Sequence, residues 1–506
     1  MMAVLEGKSL NGTASRETIT VFNPVTNEKL GTVPVMTSDD VAEAVKRARA
    51  AQPLWQALGV HERARLLHKW RHAIWQDQKN AMAIMRRETG KVDANAFVEL
   101  AVVDAAVDYF AKVAPRVSRP QRRKTLFPYI QRAKVTYKPY GVVGFISPWN
   151  YPLLNALTDL FAAIVMGNTA ILKPSEVTPY TAFYAVELMH KVGIPKDVVQ
   201  IVTGDGRTGA ALVDHVDYIM FTGSTANGKK VALRAAERLI PCTLELGGKD
   251  PVIILNDANV IAAATGTLKG ALENAGQACV SVERVYVESG IYEEFVATIV
   301  DYAKQLVVGS GDGYDVHMGS LTNQRELLRA EEHVNEAIAK GAKVLHGGKR
   351  RPDLGPLFYE PTILVDVDHT MKVMTEETFG PIVPIMKVKD ADEAIRLAND
   401  NEYGLSACIF TRDLRRGERL ARLIDAGDVS INRPQLVFGT PSLPMGGDKQ
   451  SGIGRRNGDE GLLRFVKTQS LVVDTLFGTI PSLTQADPVT ITGFLVLRAI
   501  RRFIFI

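Results

Sequence analysis

The sequence predicts an α/β protein built on doubly wound parallel sheets, and three observations carry that prediction. From about residue 135, short apolar runs of strand length alternate with longer segments of helical period, the pattern of parallel strands joined by crossover helices. The alternation pauses after Glu245 and then resumes, so two such sheets are expected. A chain of 506 residues also exceeds one ordinary domain.

In chain order, residues 39–51, 61–76 and 79–89 read as helices that flank the first sheet. Residues 141–147 (GVVGFIS) are an apolar run bounded by glycine and proline, hence a buried strand. Residues 153–166 read as a helix, 168–172 as a strand, 180–192 as a helix, and 198–202 as a strand. A short helix at 208–213, a strand at 218–222 and a helix at 227–239 complete the first series. The second series has a helix at 260–274, a strand at 284–287, a helix at 292–306, a strand at 382–388 and a helix at 391–399. Residues 116–138 (RVSRPQRRKTLFPYIQRAKVTYK) are basic and partly β-like, which reads as a solvated hairpin before it reads as a binding patch.

Composition narrows the class. Hydrophobic residues make up 46% and charged residues 23%, the soluble globular range. A net charge of +4 argues against bulk binding of nucleic acid. Cys242, Cys279 and Cys408 are far apart and odd in number, as expected for free thiols in a reducing compartment. They form no metal-ligand spacing, so no metal is expected. The first residues carry no apolar run of a secretion signal.

Several short motifs carry chemistry. Gly204-Asp-Gly-Arg-Thr-Gly209 fits GxGxxG between a strand and a helix, but a lone match is common and its acidic partner downstream is missing. Phe221-Thr-Gly-Ser224 ends a strand where a helix begins with free N–H groups, which suits either a phosphate or a plain helix cap by Ser224 or Thr225. Pro148-Trp-Asn-Tyr-Pro152 holds Asn150 between prolines, either as a rigid donor to an oxyanion or as a turn residue. Glu245 ends an apolar strand, either as a base of raised pKa or as the partner of Lys249. Glu377 precedes Phe379 and a Gly-Pro turn. Cys279 follows Gly276 and Gln277, either packed or nucleophilic.

Together PWNYP, KPSE (173–176), FTGS (221–224), LELGGK (244–249), GQAC (276–279), EETFGP (376–381) and PMGGDKQSGIGR (444–455) stand in one order. On these the chain resembles the aldehyde dehydrogenase superfamily from about residue 18 to 472, nearest its bacterial succinate-semialdehyde dehydrogenase-like branch (SVERVYV, GPLFYEPTIL, GRRNGDEGLLRF). The resemblance implies two α/β domains with a small β bridging element. Residues 1–115 and 139–247 would bind NAD(P), 248–447 would form the catalytic domain, 116–138 and 460–475 would bridge subunits, and 476–506 would be an apolar basic tail.

The resemblance also implies the chemistry. Cys279 would be the nucleophile, Asn150 and the Cys279 N–H the oxyanion donors, and Glu245 the base that hydrolyses the thioester. Ile146, Ser147, Pro148, Trp149, Lys173, Ser175, Glu176, Gly206, Phe221, Thr222, Gly223, Ser224, Leu246, Gly247, Glu377 and Phe379 would hold NAD, with NADP as the alternative. Glu176 would favour NAD by accepting from a ribose hydroxyl. Tyr151, Thr158, Val280, Phe438 and Met445 would line the substrate path.

Departures from the pattern bear on substrate. Thr158 and Asp159 stand where relatives that take succinate semialdehyde often carry an arginine, so a substrate carboxylate is expected to meet no cation there, unless Arg284 or Arg433 serves. Met445 replaces a common phenylalanine and Arg456 a common glutamate. An apolar aliphatic or aromatic aldehyde is therefore expected, with succinate semialdehyde as the rival. The tail VTITGFLVLRAIRRFIFI places Arg498, Arg501 and Arg502 at i, i+3 and i+4, which suits either an interfacial anchor or a helix docked on a partner subunit. A cytoplasmic homodimer or homotetramer is expected, with a membrane surface as the tail's alternative contact. A CoA-acylating relative is disfavoured by Glu245, and a non-catalytic relative by Glu245 and Cys279 together.

Overall fold

The computed structural model describes residues 16–125, 131–311, 313–475, and 488, 491–493, 495, 496, 498 and 499. One sheet has six strands in the spatial order Gly452–Ile453, Cys242–Glu245, Tyr218–Thr222, Val142–Ile146, Thr169–Lys173, Val199–Ile201. All its pairs are parallel except that of the edge strand Gly452–Ile453. A second sheet has seven strands in the order Lys343–His346, Thr362–Val365, Ile382–Val388, Val282–Glu288, Asp250–Ile254, Ser406–Phe410, Asp428–Ile431, and only Lys343–His346 pairs antiparallel. Strands buried on both faces need apolar residues throughout, which is why TAILK and YIMFT are wholly buried.

The helix Leu154–Val165 is buried at every position, its apolar residues by packing and its Asn155, Thr158 and Asp159 through polar partners on Arg456. In the first sheet the chain moves from Val142–Ile146 to Thr169–Lys173 on one side and later to Tyr218–Thr222 on the other. That reversal opens a crevice beyond the carboxyl ends of the two strands, where open α/β sheets take ligands.

The sequence reading omits five strands of the second sheet, Asp250–Ile254, Lys343–His346, Thr362–Val365, Ser406–Phe410 and Asp428–Ile431, and the helices Gln324–Ala339 and Leu414–Ala421. The first hundred residues contain a strand pair, Thr18–Phe22 with Lys29–Pro34, that the helical reading omits. They also contain a fourth helix, Asp93–Val117, which runs into the basic segment. The helix expected over 260–274 stops at Leu272, because Asn274, Ala275 and Gly276 all take left-handed φ values (54°, 56° and 74°).

Residues 118–138 and 466–506 form a separate unit. It contains a sheet in the order Val466–Asp474, Gln131–Pro139, Gln121–Arg123. Residues 460–465, expected in the bridging element, instead lie in the helix Gly458–Leu463 and just after it. Val466–Asp474 is an edge strand with Leu471, Val472 and Val473 exposed. Most of the predicted tail lies outside the described residues, and Ile491, Leu495 and Val496 within it are exposed. Among the described residues no helix is long and apolar enough to cross a membrane.

Candidate active site

A cavity of about 730 Å³ occupies the crevice. It continues into one of about 210 Å³, the two sharing Pro148, Trp149, Thr222, Gly223 and Ser224 in their walls. Ile146, Ser147, Lys173, Ser175, Glu176, Gly206 and Phe221 line the larger part. Leu246, Gly247, Glu377, Phe379, Asn150 and Cys279 line the smaller. The sequence reading missed Lys230, Arg234 and Arg325 in these walls, because exposed cations on a helix or loop carry no motif.

The trough suits a phosphorylated dinucleotide. The Ser224 side chain caps nothing at the start of the helix Thr225–Glu237, so its hydroxyl and the first N–H groups remain for an anion. The buried Ser147 hydroxyl makes no hydrogen bond. A Cβ at Gly247 would lie 2.6 Å from the Glu377 carboxylate, so glycine is what leaves the passage open. The GxGxxG run plays a local part: Asp205 caps the helix Gly206–His215 by accepting from the Arg207 N–H. Lys173 Nζ lies 3.3 Å from Glu176 Oε2 at the far end of the cavity.

Two buried ion pairs hold the loops around Cys279. Lys91 Nζ meets Glu99 Oε2 at 2.5 Å and donates to the Asn150 carbonyl at 3.0 Å. Glu99 Oε1 accepts from the N–H groups of Leu153 and Leu154, which pins the Pro148–Pro152 turn to the next helix. Lys249 Nζ meets Glu283 Oε2 at 2.6 Å. Glu283 in turn accepts from the N–H groups of Thr378 and Phe379, and Glu377 Oε1 accepts from Gly248 N at 3.1 Å. Lys249 is thereby committed to Glu283 and does not pair with Glu245, which removes the plain-pair reading of Glu245.

The left-handed turn aims Cys279. A Cβ at Gly276 would lie 2.1 Å from the Gly380 carbonyl oxygen, so this glycine lets the thiol-bearing turn lie against the Glu377 loop. Gln277 Oε1 accepts from Thr322 N at 2.9 Å, and its carbonyl accepts from Asn150 Nδ2 at 2.9 Å. Asn150 is thus held by side chain and main chain together, which a simple turn asparagine does not need. Cys279 is half-buried, and burial pushes its thiol up to about 12, with Arg456 opposing. Burial pushes Glu245 up to about 8, again opposed foremost by Arg456. Burial also raises Glu377, to about 7.

On the other side of Cys279 the walls are apolar. Val280, Leu405 and Met445 form a buried cluster against which Cys279, Val437 and Phe438 pack. Tyr151 is buried behind it, its ring 6.0 Å from that of Phe438 and under Lys91 Nζ at 4.5 Å. Thr158 overturns one expectation: its Oγ1 accepts from Arg456 Nη2 at 2.7 Å, so a cation does stand beside it. Arg456 comes from the far end of the sequence, which spacing cannot reveal. Neither alternative arginine takes this place. Arg284 is spent on the carbonyls of Lys249, Leu397 and Ala398, and Arg433 is exposed. No cluster of metal-ligating side chains is present among the described residues.

The model of the aldehyde dehydrogenase family matches residues 11–471. The chain belongs to the aldehyde dehydrogenase family. It is 40% identical over 475 residues to a Mycobacterium tuberculosis (H37Rv) protein named putative succinate-semialdehyde dehydrogenase (NADP+) 2, covering 94% of this chain and 92% of that one. It is also 40% identical over 458 residues to the 4,4'-diapolycopene aldehyde oxidase of a Methylomonas species, covering 88% and 84%. The crystal structure of Staphylococcus aureus betaine aldehyde dehydrogenase in complex with NAD+ superposes with a TM-score of 0.88 at 31% identity, over 94% of each chain. This family assignment makes the protein an oxidoreductase of aldehydes.

Proposed function

We propose that this aldehyde dehydrogenase oxidises an apolar aldehyde to its carboxylic acid through a thioester on Cys279. The Cys279 sulfur attacks the aldehyde carbon, and the carbonyl electrons move to oxygen. Asn150 Nδ2 and the Cys279 N–H stabilise that oxyanion. Ser224, the N-terminus of the helix Thr225–Glu237 and Glu377 would hold a nicotinamide dinucleotide in the trough, and that group would supply the hydride acceptor for the thiohemiacetal carbon. Glu245 then takes a proton from water, which attacks the thioester and releases the acid and the thiol. The balance is aldehyde, NAD(P)+ and water to acid, NAD(P)H and a proton. Ser224 and the helix N-terminus behind it would face the diphosphate, and Glu377 the nicotinamide ribose. Glu176 would face the adenosine ribose, which favours NAD. Lys230 and Arg234 in the same wall support NADP, the cofactor in the mycobacterial relative's name.

The single observation that carries the substrate class is the apolar cluster of Val280, Leu405, Met445, Val437 and Phe438 against Cys279. Arg456, whose main chain pairs with Met445 of the cluster, is occupied by Asp159 at 2.9 Å and by Thr158. Succinate semialdehyde is the second reading, favoured by the mycobacterial relative's name. The test is NAD(P)H release by purified enzyme with succinate semialdehyde, benzaldehyde and straight-chain aldehydes of rising length, each with NAD and NADP. A kcat/KM that climbs with chain length supports the apolar reading, and a clear preference for succinate semialdehyde replaces it.

We also propose a homodimer or homotetramer in which a second copy covers the strand Val466–Asp474, an exposed apolar edge otherwise open to pairing. Contact of the arginine-bearing tail with a membrane surface is the accompanying proposal. Sedimentation and vesicle co-flotation test these two.

A further inference from the structure

Beside Cys279 and Glu245 lies a buried cluster of charges that the reaction above does not use. Asp159, on the buried helix Leu154–Val165, takes Arg456 Nη2 at 2.9 Å on one carboxylate oxygen and Arg464 on the other. Arg456 Nη2 also donates to Thr158 Oγ1 at 2.7 Å, and its Nη1 to Asn155 Oδ1 at 3.3 Å. Asn155 Nδ2 reaches Asn150 Oδ1 at 3.4 Å. The chain of contacts therefore runs from Arg456 to the amide that would hold the oxyanion. The main chain of Arg456 makes both hydrogen bonds with Met445, at 2.8 and 2.7 Å. The next residue, Gly446, lies against Glu245: a Cβ there would be 3.2 Å from Glu245 Oε1.

The charges do not cancel within the cluster. Two arginines and one aspartate leave one unit of positive charge in a buried place, where charge acts strongly. The Glu245 carboxylate is itself buried, and its Oε1 accepts no hydrogen bond.

We propose that Arg456 is a positioning residue for thioester hydrolysis: clamped by Asp159 and Thr158, it sets a positive charge on the Glu245 side of the site and, through Asn155, steadies the Asn150 amide. This inference rests on Glu245 being the base of the proposed reaction. The groups acting on Glu245 are Arg456 and Arg464, which favour its charge, and Asp159 and Asp428, which oppose it. Cys279 feels Arg456 in the same sense as Glu245, against Glu245, Asp250 and Glu377.

The sign follows from these charges. Removing Arg456 makes the carboxylate harder to form, so hydrolysis turns on at higher pH. Removing the charge of Asp159 makes it easier, so hydrolysis turns on at lower pH. The experiment follows single-turnover thioester hydrolysis against pH in wild type, Arg456→Gln, Arg456→Lys and Asp159→Asn. The expected midpoint moves up by about one unit in Arg456→Gln, stays in Arg456→Lys, and moves down in Asp159→Asn. Alkylation of Cys279 by iodoacetamide, which needs no cofactor, shifts in the same two directions. If Arg456→Gln does not fold, Arg456→Lys and Asp159→Asn carry the comparison. A midpoint that moves up in Asp159→Asn, or not at all, overturns the inference. Wild-type enzyme that turns over while the variants keep its midpoint overturns this inference alone. Wild-type enzyme that releases no NAD(P)H from any aldehyde overturns the reading of the site as well.

Discussion

The two sides of Cys279 are built differently. On the dinucleotide side the trough is open, about 730 Å³ leading into about 210 Å³, and much of its shape is backbone: strand ends, a helix N-terminus, and Gly223 and Gly247. On the proposed substrate side the space bounded by Leu154, Thr158, Phe438, Met445 and Arg456 is about 10 Å³, roughly room for one water. Its shape is side chain. A backbone-built site changes little when one side chain changes, whereas a side-chain-built site is redrawn by each of them.

Cys279 joins the two sides, so its loss has the largest expected effect. Cys279→Ala should lower aldehyde-dependent NAD(P)H formation by more than about a thousandfold while leaving dinucleotide binding, read by fluorescence titration, near wild type. Loss of both would mean that the trough is not independent of the thiol.

Glu245→Gln comes next. Hydrolysis should fall by about 10²–10⁴-fold, and the first burst of NAD(P)H should survive. Because burial raises Glu245 to about 8, it is mostly protonated at neutral pH. The wild-type hydrolysis rate should therefore rise as pH passes through that value, and the rise should vanish in the variant.

Glu283→Ala tests how the dinucleotide side is held. It leaves Lys249 charged and buried without its partner, which costs about 3–5 kcal/mol, and it frees the N–H groups of Thr378 and Phe379. The expected outcome is a lower thermal midpoint together with a raised KM for the dinucleotide. A lower midpoint with an unchanged KM would show that the Glu377 loop holds itself.

The smallest effects should come from the side-chain wall. Met445→Ala should change kcat/KM for long relative to short aldehydes by about 10-fold or more, with dinucleotide affinity unchanged. An equal change for all chain lengths would place Met445 outside the substrate path.

Legibility in the sequence follows the same division. PWNYP, FTGS, LELGGK and EETFGP mark the trough because a turn, a glycine or a helix start must sit at a fixed distance along the chain. The left-handed turn at Asn274 and Ala275 was hidden, since the apolar period of the preceding helix runs straight into it. The hairpin Thr18–Phe22 with Lys29–Pro34 was hidden among helical neighbours. The anchors Lys91–Glu99 and Lys249–Glu283 were hidden as pairs, because a lone lysine and a lone glutamate read as surface residues until burial brings them together.

While missing Lys230, Arg234 and Arg325, the sequence by itself determined the α/β class and the family, and it named part of the trough's lining. All of these rest on local order: strand and helix periods, and motifs a few residues long. Only the tertiary structure decided that Lys249 goes to Glu283 and not to Glu245, and that Arg456 and Arg464 converge on Asp159 beside the thiol. Each of those pairings joins elements far apart in the chain. Coulomb energy and desolvation depend on distance and burial, and neither can be read from sequence separation.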